Sequence, residues 1–180
     1  MAGLTIARPA PTEYAPYYAR YVDLVPDADL LDVLRRQVDE TAALVAPLSD
    51  RDAEHRYAEG KWSIKEVVGH VSDVERIFVY RALCFARGEP TGLPGFDENE
   101  YARRSNAGAR PIRSLMDELR TVRAGTVAFF AGLDQELLMR RGTANNNGYT
   151  VRAIAHIVAG HERHHAAILH ERYLPGLKKR

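Results

Sequence analysis

Apolar residues recur every three or four positions through four stretches of the chain, the period of helices that bury one face. The first stretch runs from about Asp27 to Ala46 on the stripe Leu31, Leu34, Val38, Thr41 and Val45, and Pro47 ends it. The second opens on Ser63-Ile64-Lys65-Glu66. This is a capping box, in which Ser63 accepts from the Glu66 amide while Glu66 reaches back to the amide of Ser63. Trp62 and Val67 take the two positions of a hydrophobic staple, and the stripe Ile64, Val67, Val71, Val74 and Phe78 carries the helix to about Arg87, ahead of Gly88 and Pro90. The third opens near Pro111 on the seam Ile112, Leu115, Leu119, Val122, Thr126, Phe129 and Leu133. The fourth opens on Thr150 as N-cap, follows the turn-prone run Asn145-Asn146-Asn147-Gly148, and continues to about Tyr173 before Pro175 and Gly176. No period-two run points to a sheet, so the pattern predicts an all-α four-helix bundle. The connections over residues 88–110 and 133–149 exceed the usual two to eight residues. They are long enough for a crossover, and connections of that length are often functional or partly structured.

A chain of 180 residues suits one domain spanning 1–180 and can bury roughly 70% of its unfolded surface without disulfides. Residues 1–25 read as a tyrosine-rich segment packing on the bundle. Within it Tyr14, Tyr17, Tyr18 and Tyr21 share helical spacing, which suits packing or a homodimer surface more than a ligand box. Cys84 is the only cysteine and reads as an inert helix residue. It rules out an internal disulfide or a cysteine-based zinc site and fits a reducing cytoplasm. The first residues lack a basic stretch leading into an apolar run, so no secretory signal is expected. No apolar stretch reaches the ~20 residues of a membrane helix. With 25 basic and 24 acidic residues the net charge is +1, which leaves no electrostatic footprint for nucleic acid or anionic lipid. The basic end Leu177-Lys178-Lys179-Arg180 reads as a solvated tail.

Five of the seven histidines lie between His156 and His170. The seam of the fourth helix reads Val151, Ile154, Val158, His161, His165, Ile168 and Arg172, apolar until two successive positions become histidine. Residues four apart share a helical face, so two imidazoles there can converge on one ion, as they do in zinc helices of the HExxH type. His70 stands among Val67, Val71, Val74 and Ile77 on the second helix and supplies a third imidazole. Burying three imidazoles without partners is costly, whereas coordination uses their lone pairs and leaves an open position for water or substrate. On spacing alone, a polar helix face for His161-Glu162-Arg163-His164-His165 and a hydrogen-bonded core role for His70 stay open. His164 competes with His165, but His165 continues the seam while His164 sits about 60° to one side. His156, about 140° from His161, reads as solvated or capping, His170 falls on the far side, and His55 lies in a loop.

Two segments resemble the DinB-like (DinB/YfiT) superfamily. One is Lys61-Trp62-Ser63-Ile64-Lys65-Glu66-Val67-Val68-Gly69-His70, followed by Asp73 and Glu75. The other is Tyr149-Thr150-Val151-Arg152-Ala153-Ile154-Ala155-His156, leading into Gly160-His161-Glu162-Arg163-His164-His165. The resemblance extends from the tyrosine-rich segment to about Tyr173. It implies a four-helix bundle with a three-histidine metal site, on which His70, His161 and His165 match the ligands. Members of that superfamily are commonly described as metal-dependent hydrolases. Others are thiol S-transferases or thiol-dependent isomerases using bacillithiol, mycothiol or glutathione.

The leading expectation is therefore a metal-dependent hydrolase acting on a small molecule, with one divalent ion per chain. Imidazole ligands suit zinc or nickel first, with iron or manganese as alternatives. The competing readings are a thiol S-transferase using a low-molecular-weight thiol, a non-enzymatic metal-binding bundle, and a helical interaction protein whose histidines bind nothing. No side chain stands out as a nucleophile. Asp73 and Glu162 read either as carboxylates orienting a ligand or as part of a solvated or helix-pairing face. Phe96-Asp97-Glu98-Asn99-Glu100-Tyr101 reads as a loop overhanging the site.

Overall fold

The computed structural model describes residues 5–177, so Lys178, Lys179 and Arg180 of the expected tail lie outside the described residues. Four long helices carry the fold: α2 (Leu30–Val45), α3 (Ile64–Ala86), α5 (Ile112–Ala131) and α7 (Val151–Ile168). Short helices α1 (Ala19–Val22), α4 (Glu98–Arg104), α6 (Gln135–Met139) and α8 (Leu174–Leu177) occupy the segments around them. Each long helix begins where its cap chemistry dictates. Asp29 accepts from the Asp32 amide and Thr150 from the Ala153 amide, and the capping box of Ser63 and Glu66 closes in both directions. α7 runs on through a π-helical turn over Leu169–Tyr173 into α8, so Pro175 and Gly176 fall inside the last turn rather than after it.

α2 packs on α5 and α7, and α3 packs on the same two helices, so consecutive α2 and α3 lie on one diagonal and α5 and α7 on the other. The connections from α2 to α3 and from α5 to α7 therefore cross the bundle diagonally, whereas the one over 88–110 joins neighbouring helices. α7 is buried on nearly every side from Val151 to Glu162, because α1 covers the face that the other three helices leave open. That cover depends on Gly160. A Cβ there would lie 1.9 Å from the backbone oxygen of Tyr21, so only glycine lets α1 come so close. Glu13 ties the preceding segment to the start of α7, accepting from the Thr150 hydroxyl at 2.7 Å and from the Arg152 guanidinium.

At the bundle centre lies a buried charge cluster. Arg123 of α5 donates to Glu75 of α3 at 2.8 and 2.9 Å and to the Leu34 carbonyl of α2 at 2.8 Å, and it pairs with Glu162 of α7 at 2.7 Å. Gln37 and Thr41 of α2 complete Glu162 with two further hydrogen bonds. One guanidinium thus joins all four long helices.

Two expectations need correction. A two-stranded antiparallel hairpin, β1 (Arg141–Ala144) and β2 (Asn147–Thr150), lies in the 133–149 connection, although the bundle is otherwise helical. Its turn residues Asn145 and Asn146 both take positive φ, a two-residue geometry that asparagine tolerates better than other non-glycine residues, and Leu93 adds backbone hydrogen bonds to Thr143 and Asn145. The strands are too short to alternate visibly in sequence. The core face of α5 is also rotated from the apolar seam: Arg123 and Phe130 are buried while Val122 and Phe129 are half-buried. The carboxylates waiting on α3 and α7 reverse the usual preference for the apolar residue.

Because a new Cβ at Gly160 meets backbone rather than a flexible side chain, Gly160→Ala should cost about 2 kcal/mol or more, at the upper end for overpacking. Urea denaturation of the two proteins measures it. Unchanged stability would mean that α1 does not rest on α7 as described.

Candidate metal centre

α3 and α7 cross so that His70, from one, faces His161 and His165, from successive turns of the other. The His161 Nε2 lies 3.1 Å from the His70 Nε2 and 3.2 Å from the His165 Nε2, and the three nitrogens all fall within 4.8 Å of one another. Hydrogen bonding alone cannot account for this. Each neutral imidazole offers a single proton, and three Nε2 atoms aimed at one point leave lone pairs facing each other. Ligand nitrogens around a tetrahedral ion with bonds of ~2.05 Å would be about 3.3 Å apart, so the donor set fits a metal in kind and in spacing.

The walls keep the imidazoles dry. His70 and His161 are buried and His165 is half-buried. The Trp62 ring lies against His70 at 4.5 Å and stacks on His165 at 6.5 Å, while Tyr21 meets His161 edge-on at 5.4 Å. Trp62 is held by its carbonyl, which accepts from the Tyr173 hydroxyl at 2.8 Å. Desolvation lowers all three histidine pKa values, that of His70 to about 4 and those of His161 and His165 well below the ordinary histidine range. Neighbouring imidazoles add repulsion at His161 and His165. The resting form is neutral imidazole, which is the form that binds metal.

His164 is half-buried beside the cluster, its ring edge-on to Tyr21 at 5.4 Å, and it is not one of the three converging groups. His170 is exposed, and His55 packs near Tyr173 away from the cluster. His156 departs from expectation: it is buried, and its Nδ1–H donates to the Arg152 carbonyl at 3.0 Å. The helical wheel misplaced it because α7 has no solvated face at that level. Glu162 turns away from the histidines into the Arg123 cluster, and Asp73 pairs with Arg76 at 3.5 Å. Cys84 is half-buried beside the core, outside the converging set.

Two clefts flank the histidines. One of about 280 Å³ reaches His161 between Tyr18, Tyr21, Val74 and Phe78, and another of about 210 Å³ reaches His165 beside Trp62. Glu98, the first residue of α4, borders both and is the only carboxylate among the described residues lining either. The segment expected to overhang the site as a loop is therefore a capped helix, with Asp97 accepting from the Asn99 and Glu100 amides. The tyrosines of the N-terminal segment, read as packing residues, also form a wall of the first cleft.

Residues 33–169 match the model of the DinB superfamily, and the chain belongs to that superfamily. A protein of Oceanobacillus iheyensis named "Putative metal-dependent hydrolase" is 26% identical over 124 residues, covering 68% of this chain and 71% of that one. A Geobacillus thermodenitrificans protein of the same name is 29% identical over 112 residues, covering 62% of this chain and 61% of that one. The fold is similar to that of YfiT from Bacillus subtilis, described as a probable metal-dependent hydrolase with an unusual four-helix bundle topology. The TM-score is 0.71 at 16% identity, over 92% of this chain and 90% of that one. Among the described residues, no helix is long and apolar enough to cross a membrane.

Lowered histidine pKa values set an acid limit on the metal-free protein. An unfolded histidine takes up a proton near pH 6.5, whereas His70 and His156 resist until about pH 4, so the unfolded state binds more protons in between. Stability should be full above pH 6.5 and fall as pH drops from there towards 4. A carboxylate contribution fades lower still, because Glu13, held to about 2 by the Arg152 guanidinium, resists protonation below its ordinary 4.5. Urea midpoints of metal-free protein from pH 7.5 to 4.5 test this, and a flat profile above pH 5 would contradict burial of neutral imidazoles.

Proposed function

We propose that this DinB superfamily chain is a metalloenzyme that hydrolyses a small molecule at one divalent ion held by His70, His161 and His165. The observation that supports this reading is the convergence of three neutral Nε2 atoms at the inner ends of two clefts. The donor set favours zinc or nickel over magnesium or calcium, since it is all nitrogen. Three protein ligands leave an open coordination position, as catalytic zinc sites do. When bound, such an ion supplies Lewis acidity and lowers the pKa of water towards neutrality. The names of the two curated relatives point to the same class of reaction.

The chain's own residues supply the rest. Trp62 and Tyr21 exclude bulk water from the imidazoles, which strengthens every electrostatic interaction inside. Glu98, the only carboxylate bordering the clefts among the described residues, would take up and return a proton at its carboxylate oxygens. No protein nucleophile is required, and Cys84 takes no part.

Metal analysis of untagged protein should give about one zinc or nickel per chain. His70→Ala, His161→Ala and His165→Ala should each empty or severely weaken the site, while His164→Ala and His170→Ala should retain it. Full metal content after loss of both His161 and His165 would defeat the assignment. On a panel of esters and amides, Glu98→Gln should lower kcat by about 10²-fold with metal content unchanged. Turnover should need no added thiol. Turnover that requires bacillithiol, mycothiol or glutathione would replace hydrolysis with thiol transfer at the same ion.

A further inference from the structure

Two arginines are buried equally deeply in this bundle, and they are treated very differently. Arg123 is 2% exposed and has two glutamates for its charge. Arg81 is 3% exposed, and no carboxylate among the described residues pairs with it. Its Nη2 donates to the Pro94 carbonyl at 2.9 Å, and its guanidinium lies 5.2 Å from the Phe78 ring centre and 5.8 Å from that of Phe96. A carbonyl and two ring faces offset part of the cost of a buried cation, but none of them neutralises it. The protein has kept a desolvated positive charge without a counter-ion.

That charge borders the cleft leading to His161. His70, Val74, Phe78 and Arg81 follow at helical spacings of four, four and three, which places them along one side of α3. At 1.5 Å per residue the His70 and Arg81 Cα atoms are about 16 Å apart along the axis. Helical side chains lean towards the N-terminus, so the guanidinium leans back over Phe78 towards the histidines. Tyr18, Tyr21 and Phe78 line the space between, so the cleft has the His161 imidazole at one end, aromatic rings along its length and a cation at the other.

The geometry points to a substrate carrying one carboxylate, bound by Arg81 with its apolar or aromatic body along the rings and its reacting group at the histidines. This assignment rests on the hydrolase reading of the site and adds the substrate class. A guanidinium matches a carboxylate in a two-pronged geometry. Arg81 is the only lysine or arginine among the described residues lining the cleft, and Glu98 stands at its border, so the charge balance suits a monoanion better than a phosphate dianion. The Pro94 contact alone would make Arg81 a tether for the 88–97 segment, and a neutral donor would serve that purpose without leaving a charge unpaired.

The test uses 3-phenylpropionate, its neutral amide and phenyl phosphate as probes, with binding followed by calorimetry and by the Arg81 side-chain NMR signal. Both metal-free and zinc-loaded protein are titrated. The carboxylate should bind both forms and shift the Arg81 Nε signal, with the amide and the phosphate each weaker by about tenfold or more. Arg81→Gln should abolish the preference over the amide, and Arg81→Lys should restore part of it. Each variant's melting curve is recorded to confirm folding. Equal binding of the amide to the parent protein overturns the proposal without recourse to any variant, as does tighter binding of the phosphate. Carboxylate binding that appears only with zinc and survives Arg81→Gln also overturns it, because the anion then sits on the ion. Binding by metal-free protein does not depend on hydrolysis, so this assignment and the hydrolase reading can fail separately.

Discussion

Arg123 is the one side chain on which the geometry of the bundle depends. It crosses the diagonal from α5 to reach Glu162 on α7, and on the way it engages Glu75 on α3 and the Leu34 carbonyl on α2. A buried ion pair seldom adds much net stability, because desolvation cancels most of the attraction. Its value here is specificity. A hydrophobic seam tolerates small rotations and slips, whereas two carboxylates sharing one planar guanidinium do not. Glu162 immediately follows His161, and Glu75 lies little more than a turn beyond His70. Fixing the rotation of α3 and α7 about Arg123 therefore fixes where the imidazoles point. The cluster is completed by Gln37 and Thr41, so Glu162 is satisfied from α2 as well.

The same dryness that makes charge pairing strict at Arg123 makes the three histidines basic in name only. Desolvation removes their protons and leaves three lone pairs in close proximity. Metal-free, that arrangement is a store of unfavourable electrostatics, which a divalent cation would turn to advantage. Gly160 contributes by letting α1 lie against α7, which sets Tyr21 beside His161 and closes one side of the site. The fold, the charge state and the aromatic walls thus all act on one point.

Much of this was legible along the chain. The caps at Ser63 and Thr150 locate α3 and α7 closely, because capping is a local matter of a hydroxyl and an amide three residues away. The seam that runs from Val151 to His165 brings two imidazoles onto one face without knowledge of the partner helix. What escaped is what depends on partners distant in sequence. Nothing along the chain singles out Arg123 beside the apolar Val122, since its carboxylates belong to other helices. His156 looked solvated or capping, since nothing local reveals that α7 is covered on nearly every side from Val151 to Glu162. The hairpin escaped because its strands are four residues each and take a further backbone partner from Leu93. The clefts escaped as well, because a cleft exists only between elements, and Glu98 was legible only as one residue of a segment overhanging the site.

X-ray absorption at the metal edge tests the central claim most directly, because it counts and identifies the atoms around the ion without reference to any reaction. Zinc-loaded protein should show a shell of light nitrogen or oxygen scatterers at about 2.0–2.1 Å with the multiple-scattering signature of three imidazoles. Any zinc that His165→Ala retains should show two imidazoles, and His164→Ala should show all three. Sulfur at about 2.3 Å, the thiolate distance that the single cysteine Cys84 would give, or loss of an imidazole in His164→Ala but not in His165→Ala, would contradict the account.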